Sequence, residues 1–275
     1  MYFSVNTSYK KKMDRSVLFF DIDGTLLSEI TYEIPWSALE ALNKARKAGH
    51  LLFINTGRTF CSLPPKVRQF GFDGYLCGCG TYLTYGDEVL LSSSIPEGRG
   101  LSIISKMAEC RIEGIAEGVE DVYMPSRISR FDGLESTRRY FRGYGLGVEA
   151  YLETGKFTYD KFLIYTDKQS DKNTFMKFIE EDIEPIDRGN GIYECVQKGY
   201  SKATACDYIL NKFGMDLEQA YVFGDSTNDI SMFAYARHTI AMGEHAKELE
   251  PYTEYVTDTV EEDGLAHAIE HYGLI

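Results

Sequence analysis

The sequence predicts an α/β protein, a doubly wound and mostly parallel sheet that carries an inserted α+β unit. Three observations lead there. Short apolar runs recur at Val17–Phe20, Leu51–Ile54, Ala220–Phe223 and Thr239–Ala241, as expected of parallel strands covered on both faces. Segments of helical period lie between them, and strand alternating with helix defines the doubly wound class. From about Glu88 to Arg188 the alternation gives way to clustered helices and short strands, the pattern of a small separate unit.

The elements follow in order. After the first strand, Pro35 suits an opening helical turn, Leu39, Leu42 and Ala45 recur on one face, and Gly49 closes the helix. The insertion reads as helix over Leu101–Cys110, two short strands around Ile115–Tyr123 and helix over Leu134–Phe141. A strand over Lys161–Tyr165 and a helix over Asn173–Glu181 complete it. Ser201 caps a helix reaching about Phe213, where Gly214 stops it. Further helices start near Thr227 and run from about Val260 to His271. The expected division is residues 1–87 with 189–275 for the sheet and 88–188 for the insertion, with 1–14 a leader. No Pro/Gly-rich linker, repeat or low-complexity tract marks the joints.

Composition narrows the function. A net charge of −13 argues against a nucleic-acid surface, which needs clustered Lys and Arg. An anionic substrate would have to be drawn by a local group of cations and a metal, not by the overall field. The cysteines at 61, 77, 79, 110, 195 and 206 form no CxxC pair, so they read as reduced thiols rather than a disulfide framework or zinc knuckles. Cys77 and Cys79 alternate onto one face of a strand, in the core or lining a site. No apolar run approaches a membrane span. Lys10–Lys12 precede Val17–Phe20 in the manner of a signal peptide, but Asp21 ends that run too soon. The expected setting is the cytoplasm, with Met13 as a possible true start.

Four segments carry chemistry. In Phe19-Phe20-Asp21-Ile22-Asp23-Gly24-Thr25 two carboxylates lie beyond the carboxyl end of a buried strand, where open α/β sheets bind ligands. Gly24 lets the backbone turn closely around an anion. A calcium loop also uses such acids, but no Glu stands at its closing position here. In Phe53-Ile54-Asn55-Thr56-Gly57-Arg58, the Thr56 hydroxyl and the amides around Gly57 suit a phosphoryl oxygen, although Thr-Gly is also common turn chemistry. Lys202 opens a helix where the dipole disfavours a cation, so it faces either a carboxylate or phosphate, or solvent. In Gly224-Asp225-Ser226-Thr227-Asn228-Asp229, Asp225 is placed to bind a hard cation, and Asn228 and Asp229 to hold ligands or Lys202. Capping by Asp225 or Thr227 is the plainer alternative.

These four segments, in this order, resemble the haloacid dehalogenase superfamily, and the position of the insertion resembles the type-2 cap of its Cof-like branch. Ile240-Ala241-Met242-Gly243 and Tyr255-Val256-Thr257 extend the likeness to the tail. Two positions depart from the pattern: Cys79-Gly80 and Gly243-Glu244 stand where the branch usually carries Asn-Gly and Gly-Asn. The resemblance implies Asp21 as nucleophile, with Mg²⁺ held by Asp21, Asp225 and the Asp23 backbone carbonyl. Lys202 then acts as a second cation, Asp229 supports it, and Thr56, Gly57 and Asn228 bind phosphoryl oxygens. Asp23 serves as acid and then base, which favours a phosphatase over dehalogenases and transport ATPases that lack an acid there. The implied substrate is a small phosphorylated metabolite, first a sugar phosphate, enclosed by the cap. A phosphotransferase or sugar phosphomutase is the alternative, and a silent metabolite-binding module the third reading. Tyr123, Arg127 and Arg130 in the insertion either touch substrate or lie on the solvated surface. Nothing in the sequence indicates an oligomeric state.

Overall fold

The structure, a computed structural model, describes residues 15–275, so the expected leader lies outside the described residues. The strands are β1 (Val17–Phe20), β2 (Leu51–Asn55), β3 (Gly74–Cys77), β4 (Tyr82–Tyr85), β5 (Glu88–Ser92), β6 (Glu113–Glu117) and β7 (Val122–Tyr123). They continue as β8 (Lys161–Tyr165), β9 (Ile183–Asp187), β10 (Ile192–Gln197), β11 (Ala220–Gly224), β12 (His238–Ala241) and β13 (Tyr255–Val256). The helices are α1 (Trp36–Ala48), α2 (Pro65–Phe70), α3 (Glu97–Glu109) and α4 (Asp132–Gly143). After them come α5 (Lys172–Ile179), α6 (Lys202–Phe213), α7 (Ile230–Tyr235) and α8 (Gly264–His271).

An eight-stranded sheet runs in the order β13-β12-β11-β1-β2-β3-β4-β5. The pairs from β13 to β3 are parallel, and β4 and β5 extend the edge antiparallel. Strand alternation divides the core. Leu18, Phe20, Leu52 and Ile54 pack with α1 and α8 on one face. Val17, Phe19, Leu51 and Phe53 pack with α6 and α7 on the other. All four residues of β1 are fully buried, each worth about 1.5–3 kcal/mol relative to exposure. That rigid floor is what the site stands on. The chain winds from β1 through β2 to β3 on one side and returns at β11 on the other. The switch point therefore lies between β1 and β11, at whose carboxyl ends ligands bind.

The second sheet is antiparallel, in the order β7-β6-β8-β10-β9. Helices α3 and α5 cover one face through Ile103, Met107, Phe175 and Ile179. Helix α4 packs Leu134 and Phe141 on the other face, together with Ile115 and Tyr165.

The expected joints at 88 and 188 both move toward the carboxyl terminus. Glu88–Ser92 pairs with β4, so the larger sheet runs on to Ser92. Ile192–Gln197 pairs with β8 and β9, so the smaller sheet reaches Gln197. Both strands escape an apolar reading for physical reasons. β5 is an exposed edge, and β10 buries the charged Glu194 through ion pairs. Helix α3 starts earlier than expected because Pro96 sets its entry, and α8 starts later, after Asp263 at φ +63°. Near Thr227 a short 3-10 turn precedes α7. Among the described residues no helix is long and apolar enough to cross a membrane.

Candidate active site

Asp21 follows β1, and its N–H donates to the Phe223 carbonyl at 3.0 Å, which stitches the end of β1 to β11. Lys202 is the first residue of α6. Ser201 caps that helix reciprocally with Thr204, at 3.1 and 2.9 Å. Asn55, at the end of β2, donates to the Lys202 carbonyl at 2.9 Å and fixes the same turn from below. The Lys202 ammonium is fully buried and donates to Asp21 Oδ1 at 2.6 Å, Asp229 Oδ1 at 2.5 Å and Asn228 Oδ1 at 3.1 Å. All three of its protons are thus directed at acceptors, and the solvent-facing alternative is excluded. Burial works against this charge, but Asp21 and Asp229 outweigh it and raise the ammonium above its ordinary range.

Asp229 spends its other oxygen on the N–H groups of Asp225 and Ser226, both at 3.0 Å, which shapes the loop after β11. Asp225 Oδ1 accepts the Thr25 hydroxyl at 2.7 Å. Asp21 Oδ2 and Asp225 Oδ2 take no hydrogen bond from any described residue, yet carboxylate oxygens of Asp21, Asp225 and Asp229 lie within 4.8 Å of one another. Burial pushes the Asp21 carboxyl up to about 7. Burial, with Asp21 and Asp229 close by, pushes Asp225 up to about 8. Two under-compensated carboxylates with free oxygens fit a hard divalent cation. Asp229, saturated by Lys202 and the backbone, is the support of the cluster.

Gly24 closes the loop with φ +75°, and a Cβ there would lie 2.6 Å from Asp225 Oδ2. We expect Gly24→Ala to displace Asp225 and lower turnover about a hundredfold, since ångström misplacement has that effect. Wild-type kcat/KM in the folded variant would show the close approach to be unimportant.

Thr56, buried, accepts the Arg58 N–H at 3.1 Å. Gly57 sits against Asn228 and Cys79, so the residues expected to bind phosphoryl oxygens share one wall. Cys79 has φ +56° between Gly78 and Gly80, also at positive φ. The departure from Asn is thus a turn position, with the thiol beside Gly57. Asp23 is gripped by Arg58 in a fork, Nε to Oδ2 at 2.6 Å and Nη2 to Oδ1 at 2.7 Å. A third Arg58 nitrogen donates to the Tyr140 hydroxyl on α4 at 2.8 Å.

The sequence reading missed several of these groups. Arg58 stood in the Thr-Gly-Arg run without a role. Lys161 on β8 reaches across to the Gly57 carbonyl at 2.9 Å while paired with the buried Glu194 at 2.5 Å. An isolated lysine in an apolar strand offered no signal of that contact. Conversely, Arg127 and Arg130 pair with Glu113, and Tyr123 stacks on Phe157 at 3.8 Å; none is linked to the carboxylate cluster. Beside Asp23 and Arg58 opens a cavity of about 740 Å³ between the segments that follow β1 and β2 and the carboxyl end of α4.

The doubly wound sheet thus gathers buried carboxylates and a lysine at its switch point, beside an inserted unit. The chain belongs to the haloacid dehalogenase-like hydrolase family, whose model matches residues 18–269. It is similar to the pyridoxal phosphate phosphatase YbhA of Escherichia coli, 28% identical over 84% of this chain and 89% of that protein. The 5-amino-6-(5-phospho-D-ribitylamino)uracil phosphatase YwtE of Bacillus subtilis is 24% identical over 91% of this chain and 95% of its own length. Among solved structures, the subclass IIB sugar phosphatase BT4131 superposes with a TM-score of 0.78 at 28% identity, covering 94% of this chain and all of that one. These place the chain in the Cof-like branch with a subclass IIB cap and make it a phosphatase.

Proposed function

We propose that the protein is a Mg²⁺-dependent phosphatase of small phosphorylated metabolites that works through a phosphorylated Asp21. The observation that carries this reading is the Lys202 ammonium held between Asp21 and Asp229, beside two carboxylate oxygens without partners. Asp21, Asp225 and the Asp23 carbonyl would hold the ion, which supplies positive charge against the phosphoryl oxygens. Asp21 attacks phosphorus, forming a carboxylate O–P bond as the P–O bond to the leaving group breaks. Once substrate binding parts Asp23 from the Arg58 fork and the freed carboxylate takes up a proton from solvent, Asp23 gives that proton to the leaving oxygen. It then takes a proton from the water that attacks phosphorus, releasing inorganic phosphate and freeing Asp21. Lys202 holds Asp21 in place and lowers its repulsion toward the incoming ester. Thr56, Gly57 and Asn228 position the phosphoryl oxygens, and the cap excludes water.

Sugar phosphates are the first class to assay, and the heterocyclic phosphates named for YbhA and YwtE the second. Six free thiols fit a reducing, cytoplasmic setting. The test is phosphate release from a metabolite panel with Mg²⁺. Free phosphate in step with alcohol supports hydrolysis, whereas transfer to a sugar acceptor would replace it with phosphotransfer.

A pH effect follows from the carboxyls. Asp21 and Asp225 are raised from 3.8 to about 7 and about 8, so the metal-free fold retains protons that the unfolded chain releases. Their stabilising contribution is full below pH ~4 and fades as pH rises through ~7–8. Mg²⁺ should therefore raise Tm more at pH 8 than at pH 6. An equal rise at both pH values would remove these two groups as ligands.

A further inference from the structure

Lys161 has no part in the chemistry assigned above, yet the protein buries its charge against the phosphoryl-binding run. It opens β8 opposite Glu117 of β6, and its ammonium lies 3.8 Å from Glu117 Oε1. The same ammonium donates to Glu194 Oε1 of β10 at 2.5 Å, and Arg188 takes the other Glu194 oxygen. Burial works against the Lys161 charge, but Glu117 and Glu194 outweigh it and raise the ammonium above its ordinary range. Burial likewise opposes the Glu194 charge, yet Lys161 and Arg188 hold that carboxyl down to about 2. All four charged groups belong to the cap. The cluster meets the core where Lys161 Nζ donates to the Gly57 carbonyl at 2.9 Å.

The Gly57 carbonyl and the Arg58 N–H form one peptide unit. That N–H donates to the Thr56 hydroxyl oxygen at 3.1 Å, so the cap holds the unit at its oxygen and the core at its nitrogen. Thr56 accepts in this bond, and its own hydroxyl proton has no described acceptor. A Cβ at Gly57 would lie 3.5 Å from Asn228 Nδ2 and 3.7 Å from Glu194 Oε1. The cap carboxylate therefore packs on the wall where the phosphatase reading, on which this step rests, places the phosphoryl oxygens. Hydrogen bonds in such a chain polarise one another. A cation on the Gly57 carbonyl makes the Arg58 N–H a stronger donor to Thr56, and Thr56 a stronger donor to substrate. Arg188 already serves Glu194 as a counterion, so that role alone does not account for a second buried cation aimed at a neutral carbonyl. We infer that Lys161 is a positioning residue, which grips the Gly57–Arg58 peptide from the cap and sets the Thr56–Arg58 loop to receive phosphoryl oxygens while the cap is seated.

Lys161→Met on the full chain with Mg²⁺ tests this. kcat/KM is expected to fall about ten- to hundredfold, the value of a hydrogen bond to a charged group. The factor should be the same for aryl, alkyl and sugar phosphates, which share only the phosphoryl end. Inorganic phosphate, titrated by calorimetry with Mg²⁺, should bind more weakly by a similar factor, and the Arg58 amide should exchange its hydrogen faster. Arg188→Met loosens the same cluster without touching Gly57, so it should lower Tm with little change in kcat/KM. Should Lys161→Met fail to fold, Lys161→Gln still donates to Glu194 but ends one bond short of Gly57, and the same uniform loss is expected. Wild-type kcat/KM in the folded variant, an equal loss in Arg188→Met, or a loss that differs between leaving groups overturns the inference and leaves the phosphatase reading intact. If the wild type hydrolyses no ester, the phosphatase reading fails. Weaker phosphate binding and faster Arg58 exchange in the variant then still support the grip, and unchanged values overturn it.

Discussion

Asp21→Asn is expected to remove nearly all phosphatase activity, by several decades in kcat, and to leave the fold in place. The amide keeps the shape of the carboxylate and still offers its oxygen to Lys202, which Asp229 and Asn228 also hold. What it lacks is a nucleophile, and no described residue could take over attack from the same strand end without moving the cluster. Stability should change little, because burial already disfavours charge at this position. The measurements are steady-state kinetics and a melting curve on the same preparation. Retention of more than about a tenth of the wild-type rate would remove Asp21 as nucleophile, since such losses run to several decades.

Chelation should have an effect of similar size. Removing divalent cations is expected to silence the wild type by about a thousandfold or more, with recovery on adding Mg²⁺. Asp225→Ala should shift the Mg²⁺ concentration for half activity upward by about two decades, because second carboxylates in such sites have that influence on affinity. The shift arises at Asp225 and not Asp229. Both oxygens of Asp229 are committed to Lys202 and the backbone, whereas Asp225 Oδ2 has no described partner. Asp229→Asn should instead weaken the hold on Lys202 and lower the melting temperature. Full activity in excess chelator would rule out the cation, and an unchanged Mg²⁺ profile in Asp225→Ala would move it elsewhere.

The sequence made the candidate site's wall legible because its residues are local to strand ends. Asp21, Thr56 and Asp225 each follow an apolar run that no competing pattern obscures. Lys202 was ambiguous because a first-turn lysine costs a helix under about 1 kcal/mol, too little to exclude solvent. Only the two aspartates that surround it decide the matter, and they come from other parts of the chain. Arg58 and Tyr140 were illegible for the same reason. Their roles arise from a contact between residues 82 positions apart, which no local period records. β10 was missed because Glu194 breaks its apolar pattern, and that charge is tolerated only because Lys161 and Arg188 meet it. Exposed β5 was assigned to the insertion because nothing in Glu88–Ser92 shows which sheet it joins.

The most direct measurement is mass analysis of the protein caught during turnover. Asp23→Asn should slow breakdown of the intermediate, since no carboxylate then takes the proton from water. Acid quenching of that variant with a good substrate and Mg²⁺, followed by peptide mapping, should find one phosphoryl group on the peptide containing Asp21. It should be absent from the Asp21→Asn, Asp23→Asn double variant. A phosphoryl group on any other residue, or none in a variant that still turns over, would contradict attack by Asp21.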